Sequence, residues 1–196
     1  MNEQVDKQYW NFKKHALAGY NAGFRTYDQL YGEEQEKKYE RCSRYLGEDA
    51  DKTILDCGCG TGTLIRRLVR QRGFLVGVDY SKVMLGLAKK RVGTVRNVAL
   101  VCADADSLPF KSETFDKVVS FTMLGNMPIV AMTIREMARV AKCRALILLS
   151  SVRKNIETSE VLASLRKASV RVKEFINDSV LNDWIAIGEK SSEHWN

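Results

Sequence analysis

Thr53-Ile54-Leu55-Asp56-Cys57-Gly58-Cys59-Gly60-Thr61-Gly62 is the stretch on which the fold turns. Its apolar opening, Thr53 to Asp56, reads as a buried strand that runs straight into three glycines at alternate positions. Glycine there allows a sharp turn and leaves no side chain between the backbone and a ligand. Thr63 to Arg72 follows with apolar residues at Leu64, Ile65, Leu68 and Val69, a helix face that Gly73 is expected to close. A strand, a glycine turn and a helix in that order are the entrance to an open α/β sheet, whose ligands sit beyond the carboxyl ends of the strands. Thr63 stands where the dinucleotide fingerprint has its third glycine, which argues against a nicotinamide-dependent oxidoreductase.

Working outward, short apolar runs alternate with helical stretches. Phe74-Leu75-Val76-Gly77-Val78 is a second strand, and Ser81 is expected to cap a helix with Met84, Leu85 and Ala88 inside. Val98–Cys102 and Asp116–Phe121 give a third and a fourth strand, Pro128 opens a helix through Val140, and Ala145–Leu149 is a fifth strand. A helix over Glu157–Ser169 precedes two strand-like segments, one carrying Val170 and Val172 and the other Asp183–Ile187. Near-continuous apolar strands alternating with helices imply a doubly wound, mostly parallel α/β sheet of Rossmann-like type. Between the last two strands only Asn177–Asn182 is available, too short for a crossover helix, so they are expected to be antiparallel.

Residues 1–50 form an N-terminal segment of different character, and 51–196 the sheet domain. The first segment holds 9 of the 17 aromatic residues. Tyr20, Phe24, Tyr27 and Tyr31 are spaced as one helical stripe, and Glu33, Glu34 and Glu36 ahead of Lys37, Lys38, Arg41 and Arg44 suit a helix from 33 to about 46. Such a stripe is either core packing or an aromatic lid over the ligand crevice.

Composition narrows the function classes. With 45% hydrophobic and 28% charged residues in 196, the chain is expected to be globular. No apolar run approaches the ~20 residues of a membrane span, and the start Met1-Asn2-Glu3-Gln4-Val5-Asp6 lacks a signal-peptide layout. Cys42, Cys57, Cys59, Cys102 and Cys143 fit neither a disulfide framework nor zinc spacing, and His15 and His194 are the only imidazoles, so no metal and a reduced, cytoplasmic setting are expected. Residues 51–100 carry ten basic and three acidic side chains, a surplus equal to the net charge of +7. These group as Arg66, Arg67, Arg70, Arg72 and Lys82, Lys89, Lys90, Arg91: two solvated helix faces, or a basic patch for RNA or an acidic partner.

Two acids sharpen the ligand class. Asp79 ends the second strand, 17 residues after Gly62, where a carboxylate suits the two hydroxyls of a ribose. Asp104 follows the third strand, where an acceptor could take a proton from an exocyclic amine. With these motifs the sequence resembles the class I S-adenosylmethionine-dependent methyltransferases, in the methyltransferase type 11-like branch. The motifs that carry the likeness are Asp56-Cys57-Gly58-Cys59-Gly60-Thr61-Gly62, Asp79-Tyr80-Ser81, Ala103-Asp104 through Phe110, and Phe115-Asp116-Lys117-Val118, within a resemblance covering roughly residues 27–190.

The resemblance implies strand order 3-2-1-4-5-7-6 with strand 7 antiparallel. It also implies S-adenosyl-L-methionine as cofactor, with Gly58, Cys59, Gly60 and Gly62 in its loop and Asp56 near its ammonium. Asp79 and Tyr80 would serve the ribose and adenine, Asp104 and Ala105 the adenine, and Phe121 would sit near the sulfonium. Tyr27-Asp28 looks like the pair that closes over the cofactor in this family. Methyl transfer needs chiefly orientation and exclusion of water; a base is needed only for some acceptors, and Tyr27, Tyr31 and His15 are the candidates. Asn126-Met127-Pro128 departs from the Asn/Asp-Pro-Pro-Tyr/Phe pattern of amine and amide methylation, and Asn126 could simply cap the next helix. With no inserted lid, a small-molecule acceptor is expected; the alternatives are RNA or a translation protein met by the basic residues of 66–91, a small activating subunit, or a nonenzymatic cofactor binder.

Overall fold

The computed structural model describes residues 3–47, 51–70 and 73–192 of the chain. Met1, Asn2, Arg72 and His194, and the expected boundary near residue 50, fall outside the described residues. Seven strands, β1 (Thr53–Cys57), β2 (Phe74–Asp79), β3 (Val98–Cys102), β4 (Phe115–Ser120), β5 (Ala141–Val152), β6 (Val170–Ile176) and β7 (Asp183–Lys190), form one sheet. Their order is β3-β2-β1-β4-β5-β7-β6. β7 runs antiparallel to both of its neighbours, and the remaining pairs are parallel. The expected order and the antiparallel hairpin are therefore both present.

Among the described residues six α-helices accompany the sheet: α1 (Glu3–Gly23), α2 (Tyr27–Arg41), α3 (Thr63–Leu68), α4 (Lys82–Val92), α5 (Val130–Val140) and α6 (Thr158–Lys167). Ser81 caps α4 as expected, its hydroxyl accepting from the Met84 amide at 3.1 Å. α3 is shorter than its apolar pattern suggested, and α5 begins at Val130 because Ile129 is still extended. Asn126 does not cap α5; it closes a single 3-10 turn, Leu124–Asn126, and its amide donates to the Tyr20 hydroxyl at 2.7 Å. Phe24-Arg25-Thr26 breaks the aromatic stripe between two helices, so Tyr20 belongs to α1 and Tyr27 and Tyr31 to α2. The break folds the rings together all the same, with Tyr20–Tyr27 centroids 5.9 Å and Tyr27–Tyr31 centroids 5.0 Å apart.

Apolar side chains fill both faces of the sheet. One layer gathers Leu55, Val118, Ile134, Met137, Ile147 and Trp184, the other Ile54, Leu64, Ile65, Leu148, Ile185 and Ile187. Neighbouring residues of a strand alternate between the two layers, and for that reason the central strands read as unbroken apolar runs. At the amino ends of the central strands, Asp116 accepts from the Thr53 amide (2.9 Å), the Thr53 hydroxyl (2.8 Å) and the Lys142 ammonium (2.8 Å). Burial works against the Asp116 charge, but these donors outweigh it and hold the carboxyl down to about 2. This acid of the Phe115-Asp116 motif thus clamps β1, β4 and the start of β5, at the end of the sheet remote from the glycine turn.

Candidate active site

The glycine turn folds back on the end of β2. The amides of Gly58 and Cys59 both donate to the Val78 carbonyl, at 2.8 and 2.9 Å, which sets the turn beside Asp79. Gly58, Gly60 and Gly62 have φ of +80°, +52° and +76°, a region that disfavours any residue with a Cβ. Their surroundings divide the labour. A Cβ on Gly60 would meet no atom within 4 Å, so its backbone faces open space, whereas one on Gly62 would come within 2.9 Å of the Ala88 Cβ. Gly62 therefore serves the packing of α4 against the turn, and Gly58 and Gly60 line the crevice.

That crevice encloses about 790 Å³ including its open mouth, and Asp79, Tyr80, Asp104, Ala105 and Phe121 line it together with the two glycines. One oxygen of Asp79 accepts from the Gly60 amide and the other from the Ser81 amide, both at 2.8 Å. Burial nevertheless pushes its pKa upward. Each carboxylate oxygen keeps a further lone pair for a ligand hydroxyl. Asp56 and Cys59 do not line the crevice. Cys59 is buried beneath the turn against Gly77, and burial raises its thiol well above the usual range, so it is not a nucleophile. Asp56 is buried with its Oδ2 unpartnered, and burial, with the Asp79 charge adding, raises it to about 7. A buried acid without a donor favours its neutral form until a cation comes near it.

The N-terminal helices roof the crevice. Lys13 of α1 reaches both oxygens of Asp104, at 2.5 and 2.6 Å, and Asp106 at 2.7 Å. The Tyr9 hydroxyl donates to Asp106 at 2.6 Å. The hydroxyl of Ser81 donates to the Asn21 carbonyl oxygen at 2.6 Å. Asp28 of α2 takes the Thr61 hydroxyl at 2.7 Å and pairs with Arg91, tying α2 to the glycine turn. Burial raises Tyr20 to about 12 and Tyr27 further still, so neither is a ready base in this state. His15 is exposed on α1 and does not line the crevice.

Beyond Tyr20, Tyr27, Thr122 and Asn126, which line both spaces, the crevice opens into a groove of about 1820 Å³ including its mouth. Tyr31 lines this groove, not the crevice. Its wall holds a buried ion pair that sequence reading missed: Lys38 Nζ lies 2.9 Å from Asp183 Oδ2, each side chain 1% exposed. The Thr122 hydroxyl, on a residue with φ of +64°, accepts from Lys38 at 2.5 Å and donates to Asp183 at 2.9 Å, and the Ser150 hydroxyl adds a bond to Asp183 at 2.8 Å. No local pattern could announce a pair 145 residues apart in sequence.

A parallel sheet with its reversal at the glycine turn, and carboxylates at two further strand ends facing one crevice, defines a Rossmann-like protein of the methyltransferase architecture. Residues 54–144 match the family model described as a methyltransferase domain. The demethylmenaquinone methyltransferase of Staphylococcus aureus is 32% identical over 147 residues, which cover 71% of this chain and 56% of that protein. The chain thus spans little more than half the length of the curated relatives it matches. The magnesium protoporphyrin IX methyltransferase of Synechocystis PCC 6803, solved with bound S-adenosylmethionine, superposes with a TM-score of 0.79 at 18% identity, covering 92% of this chain and 97% of that one. A methyltransferase of Haloferax volcanii, solved in complex with the activator Trm112, gives 0.76 at 16% identity, covering 90% and 98%. Residues 54–144 are thus a match to a methyltransferase domain, and the sheet that carries them has the class I methyltransferase fold.

Proposed function

We propose that the chain transfers a methyl group from S-adenosylmethionine to a small-molecule acceptor. The observation that carries this reading is the convergence of the Gly58–Gly60 backbone, Asp79 and Asp104 on one crevice. The residues lining the crevice fit the cofactor: Asp79 has lone pairs to receive ribose hydroxyls and Gly60 leaves room for close approach, while Asp56, buried outside the lining with an unpartnered oxygen, would meet the ammonium through water. Tyr80 and Ala105 flank the adenine position, and Phe121 stands just beyond β4 in the crevice wall. Asp104 fits the adenine amine once it shares or releases Lys13. Bound there, the cofactor supplies a methyl group already activated on a sulfonium. The protein's part is to hold the acceptor in line and keep water out, for which Tyr20 and Tyr27 provide an aromatic passage between crevice and groove. Orientation of this kind is worth on the order of 7–11 kcal/mol.

The small-molecule reading rests on the groove's walls. Among the described residues, none of the basic residues between 66 and 91 lines it, and Arg67 and Arg91 are engaged with Glu36 and Asp28. The relatives named for demethylmenaquinone and magnesium protoporphyrin IX methylation act on small molecules, in keeping with this choice. Among the described residues no helix is long and apolar enough to cross a membrane. All five cysteines are unpaired, which suits a reducing, cytoplasmic setting.

Calorimetric titration with S-adenosylmethionine is expected to show one site, weakened by Asp79→Ala. Unchanged binding in that variant refutes the cofactor assignment. Because a structural neighbour is complexed with an activator, turnover by the chain alone in a cell extract, with labelled methyl donor, is the companion measurement. Label in RNA or protein, and none in metabolites, refutes the small-molecule acceptor.

A further inference from the structure

Gln35 is the groove residue whose chemistry is unfinished. It is 8% exposed in the groove wall, and its Nε2 donates to the Thr122 hydroxyl at 3.2 Å. Its Oε1 has no partner. The neighbouring bonds fix which end of the amide is which: Thr122 already gives its only proton to Asp183, so it needs the amide N–H and has nothing to offer the carbonyl. A buried carbonyl oxygen without a donor costs free energy that a ligand O–H or N–H restores.

The rest of the groove specifies what carries that donor. Tyr20, Tyr27, Tyr31 and Leu30 form an apolar, aromatic wall, with Leu30 69% and Tyr31 49% exposed at the mouth. Aromatic faces of this kind favour a flat ring. Lys38 and Asp183 cancel each other's charge in the buried wall beside Gln35, while Arg153 and Lys154 are exposed at the groove's rim, so a ligand group buried against Gln35 meets no net counter-charge. A buried carboxylate or ammonium on the ligand would be left unpaired. On the methyl-transfer reading above, we propose that the groove selects a neutral aromatic acceptor bearing a hydroxyl group, and that Gln35 is the specificity-determining residue whose Oε1 receives that O–H. The hydroxyl is the recognition handle that orients the ring against the tyrosines.

The test is a ligand-observed NMR titration of the full chain with naphthol and with methoxynaphthalene, which has the same ring without the donor. It is run with and without S-adenosylhomocysteine. Naphthol is expected to bind about tenfold more tightly, the value of one hydrogen bond to an otherwise orphaned acceptor. Gln35→Met, which keeps length and polarisable bulk, is expected to abolish the difference; Gln35→Leu serves as the second variant, each checked for native circular dichroism. Equal affinity for the two ligands in the unaltered chain, no naphthol binding at millimolar concentration, or a preference that survives in both folded variants overturns the proposal. Bound S-adenosylhomocysteine without a naphthol preference refutes this inference alone. A naphthol preference without S-adenosylhomocysteine binding refutes the methyl-transfer reading and leaves Gln35's selectivity standing.

Discussion

Asp56 offers the most direct test of the site's electrostatics. In the folded chain burial raises its carboxyl from an ordinary value of 3.8 to about 7. Between those values the folded state keeps a proton that the unfolded chain has released, so stability falls as pH rises through the interval. Below pH 4 the group costs nothing; above pH 7 the full penalty applies, about 4 kcal/mol at 1.36 kcal/mol for each tenfold change in proton affinity. Asp56→Asn removes the charge and with it the pH-dependent part of the cost. At pH 8 the variant is expected to melt about 10 °C higher relative to the parent than it does at pH 4, at 2–4 °C per kcal/mol for a chain of this size. Any fixed cost of burying the amide N–H₂ is common to both pH values and cancels in that comparison. Differential scanning calorimetry across the range measures it. A variant-minus-parent difference that stays flat from pH 4 to pH 8, or falls, refutes the assignment of Asp56 as a buried, uncompensated acid. The same reasoning ties Asp56 to the cofactor: an ammonium placed beside it lowers its pKa, so binding near pH 7 should release a proton and the titration enthalpy should vary with the buffer's ionisation heat.

Other perturbations separate the scaffold from the site. Gly62→Ala places a Cβ at φ +76° and 2.9 Å from Ala88, and should cost about 2–4 kcal/mol in urea unfolding from backbone strain and overpacking together. Lys38→Met leaves Asp183 buried without its cation and should lose about 3–5 kcal/mol, much of it regained in the Lys38→Met, Asp183→Leu double variant; no recovery would show that the pair is not the cause. Asp116→Asn should cost about 1–2 kcal/mol at neutral pH, the shift being discounted for solvent screening of a partly exposed group, and the cost should fade as pH falls from about 4 through about 2, because a carboxyl held low contributes its full stability only above its ordinary value. Tyr9→Phe removes the bond to Asp106 and should speed amide exchange along α1 while leaving the sheet unchanged.

Much of this architecture was written locally. The apolar runs that became β1, β2 and β4, the Ser81 cap, and a connection at Asn177–Asn182 too short for a helix were sufficient for a mostly parallel sheet ending in an antiparallel pair, while the strand order came with the family resemblance. The acids Asp79 and Asp104 were legible because each stands at the end of an apolar strand. Where reading fell short, the reasons are physical. β5 starts at Ala141 although Lys142, Cys143 and Arg144 interrupt the apolar pattern, with Arg144 at φ +65°. The stripe from Tyr20 to Tyr31 obeyed helical spacing, yet three residues of turn divide it, and tertiary folding restored the ring contacts. Lys13, Gln35 and Lys38 looked like ordinary helix residues, for their partners lie 91, 87 and 84 or more positions away. The role of Gly62 changed for the same reason, since only the packed structure shows Ala88 against it.

The clamp formed by Asp116, Thr53 and Lys142 has a consequence for the distant crevice. β4 and β5 shift register between Phe115 and Lys117, just where the clamp grips. Because strand residues alternate faces, slipping β1 by a single position there would carry through its whole length and turn every side chain over. Cys57 would then arrive where Gly58 has to make its turn. Three side chains at one edge of the molecule thus act as the zero mark of a ruler whose far graduation is the bend that receives the ligand.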